Sequence, residues 1–176
     1  MGPPTGPAGR TTRIRAAVAA DAPALAAIYN HYVTTTVVTF EEAPVTGEEM
    51  AGRLGGIAAA ALPWFVAEAE GRVAGYTYAS PWRSRFGYRF STETTVYVAP
   101  GFERRGIGAA LYAALLPALR ERGMHSAIGG IALPNPASVA LHEKLGFRPV
   151  AHFVEVGFKF GRWHDVGYWQ RPLRND

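Results

Sequence analysis

One stretch near the middle of the chain constrains the fold most, because a strand pattern runs directly into a glycine-rich helix start. Residues 95–98 are β-forming side chains, and Pro100 and Gly101 end the strand. The segment 104–108 holds two arginines and two glycines and opens an apolar helix pattern that continues to about Arg122. Backbone N–H groups at such a helix start are uncovered, and the helix dipole adds partial positive charge there. The stretch therefore predicts an anion site, most often one for phosphate.

Two common phosphate motifs do not fit this stretch. The Walker motif requires Lys and then Ser or Thr after the second glycine, but Ala109 and Ala110 follow here. The dinucleotide fingerprint requires a third glycine, and Leu111 stands in its place. The loop also lies in the middle of the chain rather than after a first strand. An exposed, arginine-rich helix start without a ligand is the remaining alternative on this motif alone.

Composition limits the classes of protein to consider. The chain has 176 residues, which suits one domain, and it has no cysteine, which excludes disulfides, thiolate nucleophiles and cysteine-ligated metals. No apolar run is long enough to span a membrane, and residues 1–12 are rich in Gly, Pro and Thr without an apolar core. We therefore expect a cytoplasmic protein with a disordered leader over 1–12 and one domain over 13–173.

The chain is basic, with a net charge of +4 and with Lys144 and Lys159 as its only lysines. Nucleic acid is the obvious competing partner for such a chain. The arginines are nevertheless scattered in ones and twos and form no run of five or more. An anionic cofactor with several phosphate groups explains the charge equally well, so we expect neither a nucleic-acid partner nor a membrane partner.

Periodicity and turn signals predict the element order β-αα-βββ-α-β-α-ββ. Asp21 with Pro23, and the capping pair Thr46 and Glu49, mark the starts of the first two helices. Early hairpins and a later strand–helix–strand crossover predict a mixed, mostly antiparallel sheet flanked by helices, of the α/β class, which some schemes count as α+β. The predicted strands are 13–18, 64–69, 72–79, 92–98, 126–133, 147–156 and 159–173, and the helices begin after 21, 46, 103 and 137.

A second motif makes a family resemblance specific. The segment 135–147 is similar to the N-x-x-[A/S]-x-x-L-Y-E-K-x-G-F segment of the GNAT acyl-CoA N-acyltransferases. The stretch 96–108 resembles that family's coenzyme A pyrophosphate loop, [Q/R]-x-x-G-x-[G/A] after a V-x-V strand, with Glu103 where Gln or Arg is usual. Both motifs occur in the family's order, with one helix and one strand between them. The resemblance implies the GNAT fold and acetyl-CoA as cosubstrate.

The resemblance narrows within that superfamily. Short segments spread over residues 13–173 are similar to the phosphinothricin and methionine sulfoximine N-acetyltransferases, most clearly the W-H-D-V-G-Y-W-Q run at 163–170. The resemblance implies acetylation of the α-amino group of a small amino acid whose side chain ends in a tetrahedral, oxygen-bearing phosphorus or sulfur. It also implies a homodimer and no metal.

Two residues are candidates for the chemistry of amide formation. Glu93 lies on the strand before the pyrophosphate loop, where partial burial of a carboxylate would make it a stronger base for the ammonium proton. An exposed carboxylate on a sheet is the alternative. His142 stands where many GNAT members have a tyrosine that protonates the leaving thiolate, and it is either that acid or a structural hydrogen-bond partner.

The resemblance also assigns the cosubstrate. The backbone of Val96, Tyr97 and Val98 is expected to pair with the pantetheine arm as an added strand would. Asn135 and Ser138 are expected near the sulfur end, although Asn135 is equally well explained as a turn residue. The pyrophosphate is assigned to Arg104, Arg105, Gly106, Ile107 and Gly108.

The amino-acid substrate requires cations and aromatic walls. Guanidinium groups bind carboxylate or phosphinate with two hydrogen bonds, and the aromatic, basic segment just before the catalytic strand can reach its mouth. The candidates are Phe40, Trp82, Arg83, Arg85 and Tyr88. His164 and Asp165 are adjacent, but no further ligand has suitable spacing, so a structural hydrogen bond is expected there rather than a metal.

Two other functions stay open at this point. One is a GNAT enzyme for another amine, such as a protein N-terminus, a polyamine or an aminoglycoside, although the basic segment 83–89 favours an acidic substrate. The other is a coenzyme A-binding module without catalysis. The presence of a candidate base, Glu93, argues against this alternative.

Overall fold

Seven strands form one mixed sheet in the computed structural model, which describes residues 12–174. The predicted leader lies, apart from Thr12, outside these residues. The strands are β1 Arg13–Ala16, β2 Trp64–Ala69, β3 Arg72–Pro81, β4 Ser91–Val98, β5 Ser126–Ala132, β6 Arg148–Lys159 and β7 Arg162–Pro172. The helices are α1 Ala22–Thr35, α2 Gly47–Ala59, α3 Ile107–Glu121 and α4 Pro136–Lys144.

The order of the strands confirms the predicted element order and sheet type. Across the sheet the strands run β1-β2-β3-β4-β5-β7-β6, and every neighbouring pair is antiparallel except β4 with β5. The parallel pairing of β4 with β5 extends only from Ser91 opposite Ser126 to Glu93 opposite Ile128. Beyond Glu93 the two strands separate, so the middle of the sheet contains a split.

The two faces of the sheet are covered by different helices. On one face, Trp64, Tyr76 and Tyr97 are buried in a cluster with residues of α1 and α2. On the other face, Leu115 and Leu119 of α3 pack in a second cluster with apolar residues of β3, β5 and β7. Complete burial of each such leucine contributes roughly 1.5–3 kcal/mol to folding. These two layers pack against β4 and β5 from the two faces of the sheet.

Two helix starts test the capping predictions. The predicted box at Thr46 is confirmed, because Thr46 Oγ1 accepts the Glu49 N–H at 3.1 Å and Glu49 Oε2 accepts the Thr46 N–H at 2.6 Å. Asp21 precedes α1 as expected, but its carboxylate accepts the Val18 N–H and pairs with Arg15 at 2.7 Å instead of capping α1. No helix within residues 12–174 has the length and apolar character needed to cross a membrane.

The last hairpin differs from the prediction. The break was expected around Gly157 to Gly161, but β6 continues to Lys159 and only Phe160 and Gly161 form the turn. A bulge bends β6, since Phe153 pairs with Val166 while Gly157 pairs with His164. The bulge frees the Glu155 N–H from the ladder, and Asp165 Oδ1 accepts it at 2.9 Å. Gly157 thus marks close packing within β6, and Gly161 marks the turn at its end.

Candidate active site

Glu93 lies where β4 and β5 separate, and its half-buried carboxylate lines two cavities. Burial raises the pKa of the Glu93 carboxyl above its ordinary value. No cation of residues 12–174 forms an ion pair with it. Gly130 on β5 provides the space, because a Cβ there would lie 3.1 Å from Glu93 Oε1 and 3.1 Å from the ring of Tyr168. The site therefore contains a desolvated carboxylate that is free to take a proton.

The larger cavity has a volume of about 770 Å³ and opens on the α1 side of the sheet. Four of the five predicted substrate residues line it, namely Phe40, Trp82, Arg83 and Tyr88. Arg85 does not; it lines a separate depression of about 360 Å³ with Arg83, Ser84 and Tyr88. The cavity thus has mainly aromatic and aliphatic walls, with the exposed Arg83 as its cation.

Several lining residues were not assigned from the sequence. Tyr168 makes edge contacts with the rings of Trp82 at 5.5 Å and Phe153 at 5.7 Å, and burial raises the pKa of its hydroxyl. The run at 163–170 is a motif within a predicted strand, but alternation along that strand does not tell which of its two faces reaches the cavity. The other unassigned residues are Val38, Ser91, Ile128, Gly130, Ala132, Val150, Ala151, Phe153, Val156, Gly157, Val166 and Gln170.

The smaller cavity, of about 190 Å³, lies in the split itself. Asn135, Ser138 and His142 line its far side, and Glu93 lines it together with residues 94–97 of β4. Asn135 Oδ1 accepts the Ser138 N–H at 3.1 Å and so caps α4. Asn135 therefore combines the predicted turn role with a place at the cavity.

His142 is 3% exposed and is held on both ring nitrogens. Its Nδ1 lies 2.8 Å from the Ser138 carbonyl oxygen, and its Nε2 lies 2.9 Å from the hydroxyl oxygen of Tyr112. Tyr112 is fully buried and also donates to Thr94 Oγ1 at 3.1 Å. Burial lowers the pKa of His142, and the hydrogen bond to Ser138 offsets part of that effect. These groups form a buried polar network under the split, of which His142 and Ser138 were singled out from the sequence and Tyr112 and Thr94 were not.

The free edge of β4 offers backbone groups to the split. The Ala99 N–H donates to the Ala74 carbonyl at 2.8 Å, which fixes the alternation along the strand. By that alternation the backbone groups of Tyr97 point towards β3, whereas those of Val96 and Val98 point into the split. The Tyr32 hydroxyl donates to the Val98 carbonyl at 2.6 Å, and the Val98 N–H is left facing the gap. Tyr97 contributes a buried ring to the core instead.

The helix start at α3 has the geometry of an anion site. Gly106 caps α3 with φ +78° and no side chain covers the cap, and Arg104 just before it has φ +61°. The first-turn N–H groups of Ile107 and Gly108 have no intrahelical acceptor. Gly108 also allows close packing of the two helices, since a Cβ there would lie 3.0 Å from Leu141 of α4.

The charged residues of this loop have different partners. Arg105 pairs with Glu70 at 2.8 Å, which holds it beside the β2–β3 turn. Glu103 turns back on its own loop, and its Oε2 accepts the Gly101 N–H at 2.8 Å. Arg104 is exposed. The acidic residue at the unusual position is therefore part of the loop's internal hydrogen bonding.

His164 and Asp165 point to opposite sides of β7. His164 is buried and its Nε2 lies 3.2 Å from the Lys159 carbonyl oxygen, whereas Asp165 Oδ2 lies 2.7 Å from His152 Nε2. Across the part of the chain that the structure describes, no three His, Cys, Asp or Glu side chains are grouped as metal ligands.

The comparisons with known proteins agree on one family. A model of the acetyltransferase (GNAT) family matches residues 25–147. A phosphinothricin N-acetyltransferase of Streptomyces viridochromogenes is 44% identical over 167 residues, which cover 95% of this chain and 91% of the relative. An L-methionine sulfoximine/L-methionine sulfone acetyltransferase of Salmonella typhimurium is 36% identical over 91% of this chain and 94% of the relative.

A solved structure extends the similarity to three dimensions. The phosphinothricin acetyltransferase of the GNAT superfamily from Sinorhizobium meliloti, crystallised in complex with acetyl-CoA, is 41% identical and superposes with a TM-score of 0.89. The match covers 93% of this chain and 89% of that one. The fold and the sequence therefore point to the same family.

Proposed function

The chain belongs to the acetyltransferase (GNAT) family, and we propose that it transfers the acetyl group of acetyl-CoA to the α-amino group of a small amino acid. The proposed substrates have a side chain that ends in a tetrahedral, oxygen-bearing phosphorus or sulfur, as in phosphinothricin, methionine sulfoximine and methionine sulfone. The names of the relatives support this class. It also suits the basic rim of the larger cavity, because Arg83 can bind a carboxylate or an oxyanion.

One observation carries the proposal: the Glu93 carboxylate lines both cavities. A base at that junction can reach an amine held in the larger cavity and a thioester held in the split. A cavity that only bound coenzyme A would not need a desolvated carboxylate at its mouth. The geometry therefore favours an enzyme over a binding module.

The reaction proceeds by direct transfer. Glu93 takes one proton from the substrate ammonium, directly or through a water molecule. The nitrogen lone pair then attacks the thioester carbonyl carbon and the C–S bond breaks, so that the coenzyme A thiolate leaves. The nitrogen loses its second proton to solvent, which gives the neutral amide. The raised pKa of Glu93 strengthens it as a base. The base accelerates the step because only the neutral amine is a nucleophile.

Acetyl-CoA binds along the split and across the start of α3. The Val98 N–H and the groups of Val96 offer strand-like hydrogen bonds to the pantetheine arm. The first-turn amides at Ile107 and Gly108, with the partial positive charge of the helix start, bind the pyrophosphate, and Arg104 adds a full charge. Arg105 contributes less, since Glu70 already neutralises it.

For His142 the structural role is better supported than the acid role. Both ring nitrogens have protein partners, and burial lowers the pKa, so the ring is neutral near pH 7. A neutral imidazole donates a proton poorly to a thiolate. We propose that His142 holds Tyr112 and α4 in place and that solvent protonates the departing thiolate.

The apolar surface of β6 supports a homodimer. β6 is an edge strand, and Phe153, Val154 and Phe158 on it are exposed, as is Trp163 on β7. Unpaired edges and apolar patches of this kind are usually covered by another chain. Sedimentation velocity tests the dimer, and a single species with the mass of one chain at micromolar concentration would contradict it.

The experiment for the activity is a panel of amines with purified protein, acetyl-CoA and detection of free thiol. Methionine sulfoximine, methionine sulfone and phosphinothricin are compared with spermine, kanamycin and a peptide with a free N-terminal alanine. We expect turnover with the first three. Turnover confined to the last three would refute the substrate class, and none at all would favour a module without catalysis.

A further inference from the structure

A short strap separates the two cavities. The strap, residues 36–40, begins directly after α1 and leads towards α2. Val38 lines both the larger cavity and the cavity in the split, and Phe40 lines the larger one. The position of the strap therefore sets the shape of the larger cavity, where the amino acid is proposed to bind, on the side that faces the split. This larger cavity is called the amino-acid cavity below.

A fully buried lysine holds the strap from outside the cavity. Lys159 at the end of β6 has 0% exposure, and its Nζ donates to the Thr39 carbonyl oxygen at 2.7 Å. Burial of an ammonium group is costly, and burial lowers the pKa of Lys159 while Glu42 and Glu41 oppose that effect. A methionine would fill the same space without this cost. A lysine adds a charge near Glu41, Glu42 and the Phe160 ring, whose centroid is 5.0 Å from Nζ, and it adds the hydrogen bond to the strap.

Neighbouring residues fix the same part of the strap. Gly157 lies two residues before Lys159, and a Cβ there would overlap the ring of Phe40, so the ring rests on bare backbone. The buried ring of His164 lies 6.2 Å from the ring of Phe40. The hydroxyl oxygen of Tyr29 on α1 lies 2.8 Å from the hydroxyl oxygen of Thr39 in the strap. Lys159 is thus one of several residues that fix the position of Phe40.

We propose that Lys159 is a positioning residue that holds the strap through the Thr39 carbonyl, so that Phe40 forms a fixed wall of the amino-acid cavity and selects the substrate side chain. This inference rests on the proposed function for the identity of the substrate. It does not give Lys159 a part in the chemistry, because Lys159 does not line either cavity.

A double-mutant cycle tests whether Lys159 acts through Phe40. In Lys159→Met we expect the KM for methionine sulfone to rise roughly tenfold, the scale of one lost hydrogen bond, while the KM for acetyl-CoA and kcat stay within about twofold. In Phe40→Ala the KM for methionine sulfone rises as well. Adding Lys159→Met to Phe40→Ala should then change it by less than about twofold, because residues that act as a unit are not additive.

Lys144→Met is the matched control, because Lys144 is the other lysine and is exposed on α4. Lys144→Met should leave kcat and the KM values for methionine sulfone and acetyl-CoA unchanged. Independent, multiplying effects of Lys159→Met and Phe40→Ala would overturn the proposal, as would a parallel change in both KM values and kcat. If the unaltered protein turns over none of the amines, the proposed function fails; if it turns over methionine sulfone but the cycle is additive, only this inference fails.

Lysine labelling gives a second measurement that needs no variant and so survives a misfolded Lys159→Met. Reductive methylation followed by mass spectrometry reports Lys144 and Lys159 separately in the same sample. We expect Lys159 to react at least roughly tenfold more slowly than Lys144, since it reacts only when the strap opens, and more slowly again with methionine sulfone bound. Equal rates at both lysines would show that the strap is not held and would overturn the proposal.

Discussion

The two cavities that meet at Glu93 are built in different ways. The groups proposed to bind the cosubstrate are mainly backbone groups of one continuous segment, the edge of β4 and the loop that enters α3, although Asn135, Ser138 and His142 also line the cavity in the split. The cavity proposed for the amino acid is lined by residues from six separate segments, namely the strap, the loop before β4, and strands β4, β5, β6 and β7. A ligand bound by backbone amides depends little on which side chains are present. A ligand bound by side chains can be changed by single substitutions.

The largest effect is expected where the two sides meet. Glu93→Gln keeps the shape of the side chain and removes the base, so kcat should fall by about 10²- to 10⁴-fold while the KM for acetyl-CoA stays near its original value. Steady-state kinetics with thiol detection measures both constants. Glu48→Gln, an exposed glutamate on α2, is the control and should have no effect. Unchanged turnover in Glu93→Gln would end the assignment of the base.

The raised pKa of Glu93 predicts how kcat/KM and stability change with pH. The proposed base acts only when it is ionised, so kcat/KM should fall as the pH drops through the raised pKa of Glu93, at a higher pH than for an ordinary glutamate. The raised pKa also means that ionisation of Glu93 destabilises the fold, and this cost appears as the pH rises through that pKa. Glu93→Gln should therefore have a Tm at neutral pH equal to or above that of the unaltered chain.

The difference between the two sides explains what the sequence could predict. Strand periodicity, the Pro100-Gly101 stop and the glycines at 106 and 108 are local signals, so the strand, the loop and α3 are predicted close to their observed bounds. The cavity walls depend on which residues face each other across the sheet. Tyr168 reaches Glu93 only because β7 pairs with β5 at the glycine of position 130, and this pairing has no local signal. The bulge in β6 is missed for the same reason.

On the amino-acid side, one arginine should matter and its neighbour should not. Arg83 and Arg85 are both exposed, but only Arg83 lines the larger cavity. Arg83→Met should raise the KM for methionine sulfone roughly tenfold, as expected when a charged hydrogen bond to a substrate oxygen is lost. Arg85→Met should change it by less than about twofold. Equal effects of the two substitutions would mean that the substrate extends into the separate depression lined by Arg85.

On the cosubstrate side, the backbone conformation should matter more than the charges. Gly106 has φ +78°, where a Cβ costs about 1 kcal/mol, so Gly106→Ala should displace the first-turn amides of α3. We expect the KM for acetyl-CoA to rise roughly fivefold and that for the amino acid to stay constant. Gly123→Ala is a matched control, because Gly123 has φ +74° at the opposite end of α3. It should lower the Tm to a similar extent without affecting either KM.

The smallest effect is expected at Glu103, where the sequence departs from the usual loop. Its Oε2 accepts the Gly101 N–H, and a glutamine oxygen can accept the same bond. Glu103→Gln also removes a negative charge near the proposed pyrophosphate site, so the KM for acetyl-CoA should stay the same or fall by up to about threefold at low salt. Repeating the measurement at high salt should remove that gain if it is electrostatic. A large rise in this KM would mean that the carboxylate itself is needed at the loop, and that the cosubstrate side depends on a side chain as the amino-acid side does.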